Sequence, residues 1–452
     1  MAIQTRTTEL PWKELSADEK MERRIEAWLS PADINFASAR AEADYKARVS
    51  RIVDAIQMKK NPDRVPVSPF LGEYAAAYCG YTQKDVMYDV DKAIEVATRC
   101  TLEFDFDAKT PAAAPVGRVY EILDERQRKW PGHGVADDGS PQFIEGEYMT
   151  ADQYDDFILD ESDYRWRSYL PKTWGAMGGL GKLMPLGQLN TGSVSRFGLP
   201  EVQESLKKLM AAGEEAQRWV GKIAATNKKL TELGYPNFRG SVLGLAPFDV
   251  LGDNLRGQRG IALDMYKRPE KLLEAIEMIT EKRLLQIRRS GDNGNVGGSP
   301  IVGFPLHKGA DGFMSDEQFR TFYWPSLRKI CLALIEEGYV PELRTQGGYE
   351  SRLEVIRDFP RGKVLCHLYL TDVKPAKKAL GDVMCIVGSV PQSLLSVGTP
   401  PEVEDYSKRL IDIGGVGGGF MMTSPGALGA DSNAENIRAM IKTAKEYGLY
   451  QK

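Results

Sequence analysis

Histidine is scarce in this 452-residue chain, with three copies, and cysteine is hardly commoner, with five. Cys79, Cys100, Cys331, Cys366 and Cys385 are odd in number, scattered and never spaced as C-x-x-C, which argues against a disulfide framework and a zinc ribbon. No apolar run approaches the roughly 18 residues that cross a bilayer, and the first residues lack the apolar stretch of a secretory signal. The expectation is a cytoplasmic protein without membrane contact. Basic excess is missing too: 59 Lys and Arg face 63 Asp and Glu, a net charge of −4, which speaks against a nucleic-acid partner. No G-x-x-x-x-G-K-[ST] occurs, and the glycine run Gly414-Gly-Val-Gly-Gly-Gly419 follows a predicted helix and feeds a strand. A dinucleotide fingerprint needs the opposite order, so neither a phosphate loop nor a nicotinamide site is expected.

What is present is ordinary globular material, 42% hydrophobic and 27% charged, with enough apolar residues for a sizeable core. Ser16-Ala-Asp-Glu19 fits a capping box, and residues 1–55 read as a helical extension. A strand-helix unit follows, with a strand at 64–70 and a helix at 82–103, and a second strand starts at Leu102-Glu-Phe-Asp-Phe-Asp107. The rhythm then lapses over about 108–236, read as an insertion rich in Trp, Tyr, Asp and Gly. It returns with strands at 240–245, 300–305, 339–343, 363–370, 383–388 and 419–423. Helices are predicted at 269–289, 315–337, 349–358, 373–380, 401–413 and 433–448. Eight strands alternating with helices predict an α/β fold, a (β/α)8 TIM barrel over 56–452 with a helical N-terminal extension and a large insertion after the second strand; an open doubly wound sheet is the alternative.

In such a barrel the chemistry sits at the carboxyl ends of the strands. Two of the three histidines fall on predicted strands. His307 ends Val302-Gly-Phe-Pro-Leu306 and is followed by Lys308 and Asp311, a set suited to proton transfer, anion binding or a solvated loop. His367 lies in Val364-Leu-Cys-His-Leu-Tyr-Leu370 and is a core or a pocket histidine, with Tyr369 on the same side. His307, Asp311 and His367 are the candidate catalytic residues. Arg344 and Gln346 end the fifth strand, where a guanidinium recognises a carboxylate or phosphate or neutralises an internal acid such as Asp311 or Asp372. Glu73, Tyr74, Lys308, Arg344, Gln346, Tyr369 and Met422 are the candidate substrate or cofactor contacts. Asp105 and Asp107 read as solvated charges or caps. Tyr164 to Met184, with aromatics, methionines and glycines, reads either as a lid over a flat cofactor or as a satellite core.

The chain resembles the uroporphyrinogen decarboxylase superfamily, and within it the corrinoid-dependent methyltransferases. The resemblance rests on Asn61-Pro-Asp-Arg-Val-Pro-Val67, Gly309-Ala-Asp-Gly-Phe-Met-Ser315, Thr371-Asp-Val-Lys-Pro-Ala-Lys-Lys378, Gly388-Ser-Val-Pro391, Gly398-Thr-Pro400, Gly418-Gly-Phe-Met-Met422 and Asn436-Ile-Arg-Ala-Met440, and covers residues 56–110 and 238–450. It implies a (β/α)8 barrel. The decarboxylases of the superfamily carry an arginine-rich segment after the first strand, where this chain has Pro69-Phe-Leu-Gly-Glu-Tyr-Ala-Ala-Ala77. Its zinc methyltransferases place a His-x-Cys at the fifth strand end and a late cysteine, positions that become Arg344, Gln346 and Ala427 here. Arginine and alanine do not ligate zinc, so no zinc is expected. The resemblance implies a cobalamin (corrinoid)-dependent methyltransferase or demethylase acting on a small methyl donor or acceptor, with the corrinoid free or on a partner protein. A decarboxylase of another carboxylic acid and a non-catalytic corrinoid- or tetrapyrrole-binding subunit are the alternatives. A homo-oligomer is compatible with either.

Overall fold

Ser16 accepts a hydrogen bond from the Glu19 amide while the Glu19 carboxylate takes the Ser16 amide, so the expected capping box opens helix α1 (Ala17–Leu29). These and all later details come from a computed structural model, which describes residues 10–111, 116–242, 244–292 and 297–450. Helix α2 (Ala39–Gln57), capped by Ser38, packs beside α1. Next come α3 (Tyr74–Tyr78), α4 (Gln83–Tyr88), α5 (Val90–Phe104) and α6 (Gly117–Leu123). A small sheet of β1 (Arg128–Pro131), β2 (Gly134–Val135) and β3 (Gln142–Phe143) precedes α7 (Tyr154–Leu159), α8 (Glu161–Tyr164), α9 (Leu170–Thr173) and the 33-residue α10 (Pro200–Glu232). After α11 (Pro247–Asn254), α12 (Gly257–Lys267) and α13 (Pro269–Asp292) the chain alternates strictly between strand and helix.

Five strands, β4 (Ile301–Leu306), β5 (Val340–Thr345), β6 (Leu365–Leu368), β7 (Cys385–Ser389) and β8 (Phe420–Thr423), form one parallel sheet in chain order. Three extended segments continue it around. Pro66 and Ser68 exchange backbone bonds with Met422, at 2.8 and 3.1 Å; the Asp107 amide bonds Val67 O and Lys109 bonds Pro236 O; Gly240 and Gly244 donate to Ile301 O and Gly303 O at 3.0 Å. The fold is therefore α/β with the barrel order expected, eight extended stretches of which five are regular strands.

Alternation along the strands sorts the two faces. Val302, Phe304, Leu343, Cys366, Ile386 and Phe420 are buried in the large core shared with the outer helices. Ile301, Val340, Leu365, Cys385 and Met421 face the interior, where Trp28 of α1 and Ile52 and Ile56 of α2 pack against them. The two N-terminal helices thus plug one end of the barrel and leave the carboxyl ends of the strands as the mouth.

Two predicted elements differ. Residues 102–104 are the last turn of α5, which stops at Asp105 with φ at 52°, so the second extended segment starts three residues later than expected. The helix expected over 82–103 is two helices, broken at Asp89, whose carboxylate accepts the amides of Asp91 and Lys92 and so starts α5 afresh. Asp107 is fully buried, not solvated: it accepts from Arg51 at 2.6 Å, from Arg64 at 2.8 Å and from the Val67 amide, tying α2 to the first extended segment. Among the described residues no helix is long and apolar enough to cross a membrane.

Candidate functional site

Proline at the first turn of α11 starts a helix directly after the third extended segment, and Asp249 and Asp253, four residues apart, share one of its faces. Asp249 is wholly buried and accepts the backbone amides of His307 and Lys308, at 3.1 and 3.0 Å, and the Tyr323 hydroxyl at 2.6 Å. Burial, helped by the Asp253 charge, pushes its carboxyl up to about 6. Asp253 accepts His307 Nδ1 at 2.6 Å and also pairs with the Lys308 ammonium. Burial raises the Asp253 pKa, but its bonds to His307 and Lys308 outweigh that and hold it below the usual carboxylate range. The same bond to Asp253 lifts the His307 pKa above the ordinary histidine value. His307 is thus a partly exposed imidazole at the mouth whose charged form Asp253 favours, and the Lys308 ammonium is paired with Asp253 rather than free.

A second polar group runs up the barrel interior. Glu342 on β5, with no exposed side-chain surface, pairs with Arg239 at 2.6 Å and faces His367 Nδ1 at 3.3 Å. Burial works against its charge, yet Arg239 holds the Glu342 carboxyl far below the usual range. His367 sets its other ring nitrogen 3.1 Å from Ser424 O, and burial depresses its pKa despite Glu342. The cavity between these groups, about 20 Å³, has room for one water. Two residues further along the same strands Arg344 donates to the Tyr369 hydroxyl at 2.6 Å. That is its one side-chain hydrogen bond among the described residues: no carboxylate lies in ion-pair range, and Arg344 Nε is buried without an acceptor. An uncompensated guanidinium at the mouth of a polar barrel is a receptor for an anion.

Beside the mouth lies a pocket of about 240 Å³ between the loop after the first extended segment, α3, α4 and α5. Its walls are apolar, with Phe70, Ala76, Val86, Met87, Val96 and Ala427, and Glu73 and Gln83 supply polar groups. Phe70 and Ala427 are joined by a parallel bridge, and Gly72, at φ 51°, presses against Ala427 closely enough that a Cβ there would come within 2.5 Å. Gly426 packs on the Tyr369 ring, so the pocket and Arg344 lie on either side of the Gly426-Ala427 turn.

The remaining expected residues fall elsewhere. Asp311 accepts Ser351 Oγ at 3.0 Å and lies 3.6 Å from Arg352, so it braces the loop after β4 against the loop after β5. Gln346 is half-buried beside the mouth, its backbone N–H donating to Leu306 O. Tyr74 is buried against Tyr78 and Phe104, away from the pocket it was expected to line. Met422 belongs to the outer core, because it alternates with the inward-facing Met421. Of the segment from Tyr164 to Met184, Met177, Leu180 and Leu183 are buried in a satellite core with Leu123, Val202 and Ala212, while Tyr164 packs at a T angle on Phe157. Sequence reasoning missed Asp249, Asp253, Arg239 and Glu342. The i,i+4 spacing in Pro247-Phe-Asp-Val-Leu-Gly-Asp253 was a legible signal for the first two; the other two meet only across strands.

The uroporphyrinogen decarboxylase (URO-D) family model matches residues 203–447, more than half of the chain. The chain belongs to the uroporphyrinogen decarboxylase family. The matched stretch contains β4 to β8 and with them Asp249, His307, Arg344, His367 and Tyr369. Among solved structures, a methyltransferase from Methanosarcina mazei is similar with a TM-score of 0.53 over 88% of this chain and 98% of that one, at 14% identity, which is a likeness of fold. No curated protein matches.

The corrinoid that the sequence resemblance implies does not fit the pocket beside the mouth. Drug-sized ligands take about 300–1,000 Å³, a corrinoid is larger than those, and the pocket offers about 240 Å³. Of the aromatics and methionines expected to cover the ring, Met177 is buried in the satellite core with Trp166 and Trp174 packed against it, and Tyr164 and Tyr169 are buried in the large core. Among the described residues no group of three or more His, Cys, Asp and Glu side chains is placed to hold a metal ion.

Proposed function

We propose that this member of the uroporphyrinogen decarboxylase family moves a methyl group to or from a small substrate that carries one anionic group. The observation behind the reading is Arg344: a mouth guanidinium with no carboxylate partner and a buried, unbonded Nε. Tyr369 holds it in place. One free guanidinium matches one anionic group, whereas a polycarboxylate would need the arginines that Pro69 to Ala77 lack. His307, whose charged form Asp253 favours, is the proton donor in this reading, giving a proton to the group from which the methyl departs. The methyltransferase from Methanosarcina mazei, 98% of which aligns with this chain, supports methyl transfer as the reaction class. A corrinoid would be the methyl carrier, presented at the open mouth, free or on a partner protein, since the enclosed pocket is too small to house it.

Anaerobic absorbance spectroscopy with reduced cobalamin and methylated carboxylates tests this. Methylation of the corrinoid should depend on the protein, and Arg344→Ala should lower kcat/KM about 10- to 100-fold, the worth of a hydrogen-bonded charge, with a smaller loss in Arg344→Lys. Equal rates in wild type and Arg344→Ala would sink the reading. Release of carbon dioxide without corrinoid would replace it with decarboxylation.

A further inference from the structure

Cys79 caps the carboxyl end of α3, and Cys100 lies on α5, which packs beside that helix. One backbone carbonyl joins the two residues: Ala75 O accepts the Cys79 amide at 3.3 Å and has Cys100 Sγ at 3.8 Å. The two thiols are also in hydrogen-bond contact with each other. Both are reduced; Cys79 is half-buried and reachable from solvent, whereas Cys100 has no exposed surface.

Such an unequal pair suits thiol redox chemistry, in which a reachable thiolate reacts first and an enclosed thiol follows. The hydrogen bond from Cys100 outweighs burial at Cys79 and, with the Arg99 charge set against Glu95 and Glu103, leaves its pKa below the ordinary thiol value. The same contact and burial push the Cys100 thiol up. Cys331, Cys366 and Cys385 are wholly buried, with thiols raised by burial, so they act as inert standards within the same chain. The pair also has a place in the architecture: Ala75 and Ala76 of α3 and Ala93 and Val96 of α5 line the pocket beside the mouth. A covalent tie between Cys79 and Cys100 would fasten together two helices that build that wall.

We propose that Cys79 and Cys100 are a reversible redox pair, a modification site at which a hydroperoxide converts the two thiols into a disulfide that staples the end of α3 to α5. The Cys79 thiolate attacks the outer peroxide oxygen. An S–O bond forms, the O–O bond breaks, and the departing oxygen takes a proton and leaves as water or alcohol. The Cys100 sulfur then attacks the Cys79 sulfur: the S–S bond forms, the S–O bond breaks, and hydroxide leaves with the Cys100 proton as water. Each sulfur gives up one electron, and the peroxide takes both. A dithiol reductant reverses the step by exchange.

Hydrogen peroxide added to the full-length protein is the probe. Thiol titration in denaturant should fall by two from the five of the reduced chain, and dithiothreitol should restore both. Non-reducing peptide mapping should recover Cys79 joined to Cys100. In Cys100→Ser, Cys79 should stop at the sulfenic acid and take a dimedone label, and Cys79→Ser should keep all its remaining thiols. Hydrogen exchange over residues 74–79 should slow in the oxidised protein and stay unchanged in treated Cys79→Ser. Five surviving thiols in wild type, a disulfide through any other cysteine, or a dimedone label on wild-type Cys79 with Cys100 left free would overturn the pair. Unchanged exchange in fully cross-linked protein would overturn the staple. The wild-type map decides the pairing by itself, so the test stands even where Cys100→Ser fails to fold.

Discussion

His307 and His367 show how one residue type takes opposite characters two strands apart in the barrel. His367 is enclosed, so desolvation holds it toward the neutral form. His307 is half open to solvent and bonded to Asp253, so its charged form is favoured. A histidine whose folded-state pKa lies above its unfolded value of about 6.5 binds its proton more tightly when folded. Its stabilising contribution is then fully present below that value and is lost as pH rises through the folded-state pKa. Comparing the unfolding temperature of wild type and His307→Asn between pH 5 and pH 9 should show the largest deficit of the variant at the acid end, closing toward the alkaline end. Because the side chain is 41% exposed, the deficit should stay under about 1 kcal/mol. A deficit that grows with pH would mean that the neutral form is the one stabilised.

At the scale of elements, two carboxylates, Asp63 and the buried Asp107, tie α2 to the first extended segment. Asp107 has 1% side-chain exposure and faces two guanidinium groups, Arg51 and Arg64, and a backbone amide. Replacing Asp107 by asparagine keeps the shape but leaves Arg64 without a carboxylate and Arg51 with Asp63 alone. Removing one partner of a buried ion pair costs about 3–5 kcal/mol, far more than the pair itself contributes over an apolar substitute. Asp107→Asn should therefore lose about that much in denaturant unfolding, with the slope unchanged. A loss under about 1 kcal/mol would show that the two arginines find solvent. Asp311, a candidate catalytic residue, also works at this scale: it fastens the loop after β4 to Ser351.

For the whole molecule the question is what the long insertion does. Part of it closes on itself, with Met177 and Leu180 fully buried beside Val202 of α10 in a separate cluster, while Phe157, Tyr164 and Trp219 join the barrel core. A lid would present such residues to the mouth. Leu180→Ala should cost the insertion about 2–5 kcal/mol of local stability through the cavity it leaves, read by hydrogen exchange of α9 and α10. Affinity for carboxylate ligands at Arg344 should not change. A matching loss of affinity would restore the lid.

Period and punctuation in the sequence were enough to determine the class of the fold. Strands β4 to β8 and the helices between them lie within a few residues of where alternation and capping residues put them, because each is decided locally by side-chain spacing and backbone propensity. The scarcity of histidine likewise drew attention to His307 and His367, and the charged strand end drew it to Arg344. What the sequence by itself left open was pairing. Whether Arg344 would neutralise Asp311 or Asp372, or stand free, depended on which strand ends the barrel sets side by side. Asp107 looked like a surface charge until two arginines, one of them more than fifty residues away on α2, closed on it. Tyr74 and Met422 looked available, and a single step of strand or helix phase turned both into the core. Such contacts join residues distant along the chain, and only tertiary structure, by bringing strand ends to one mouth, decided which charges met and which were left to bind something else.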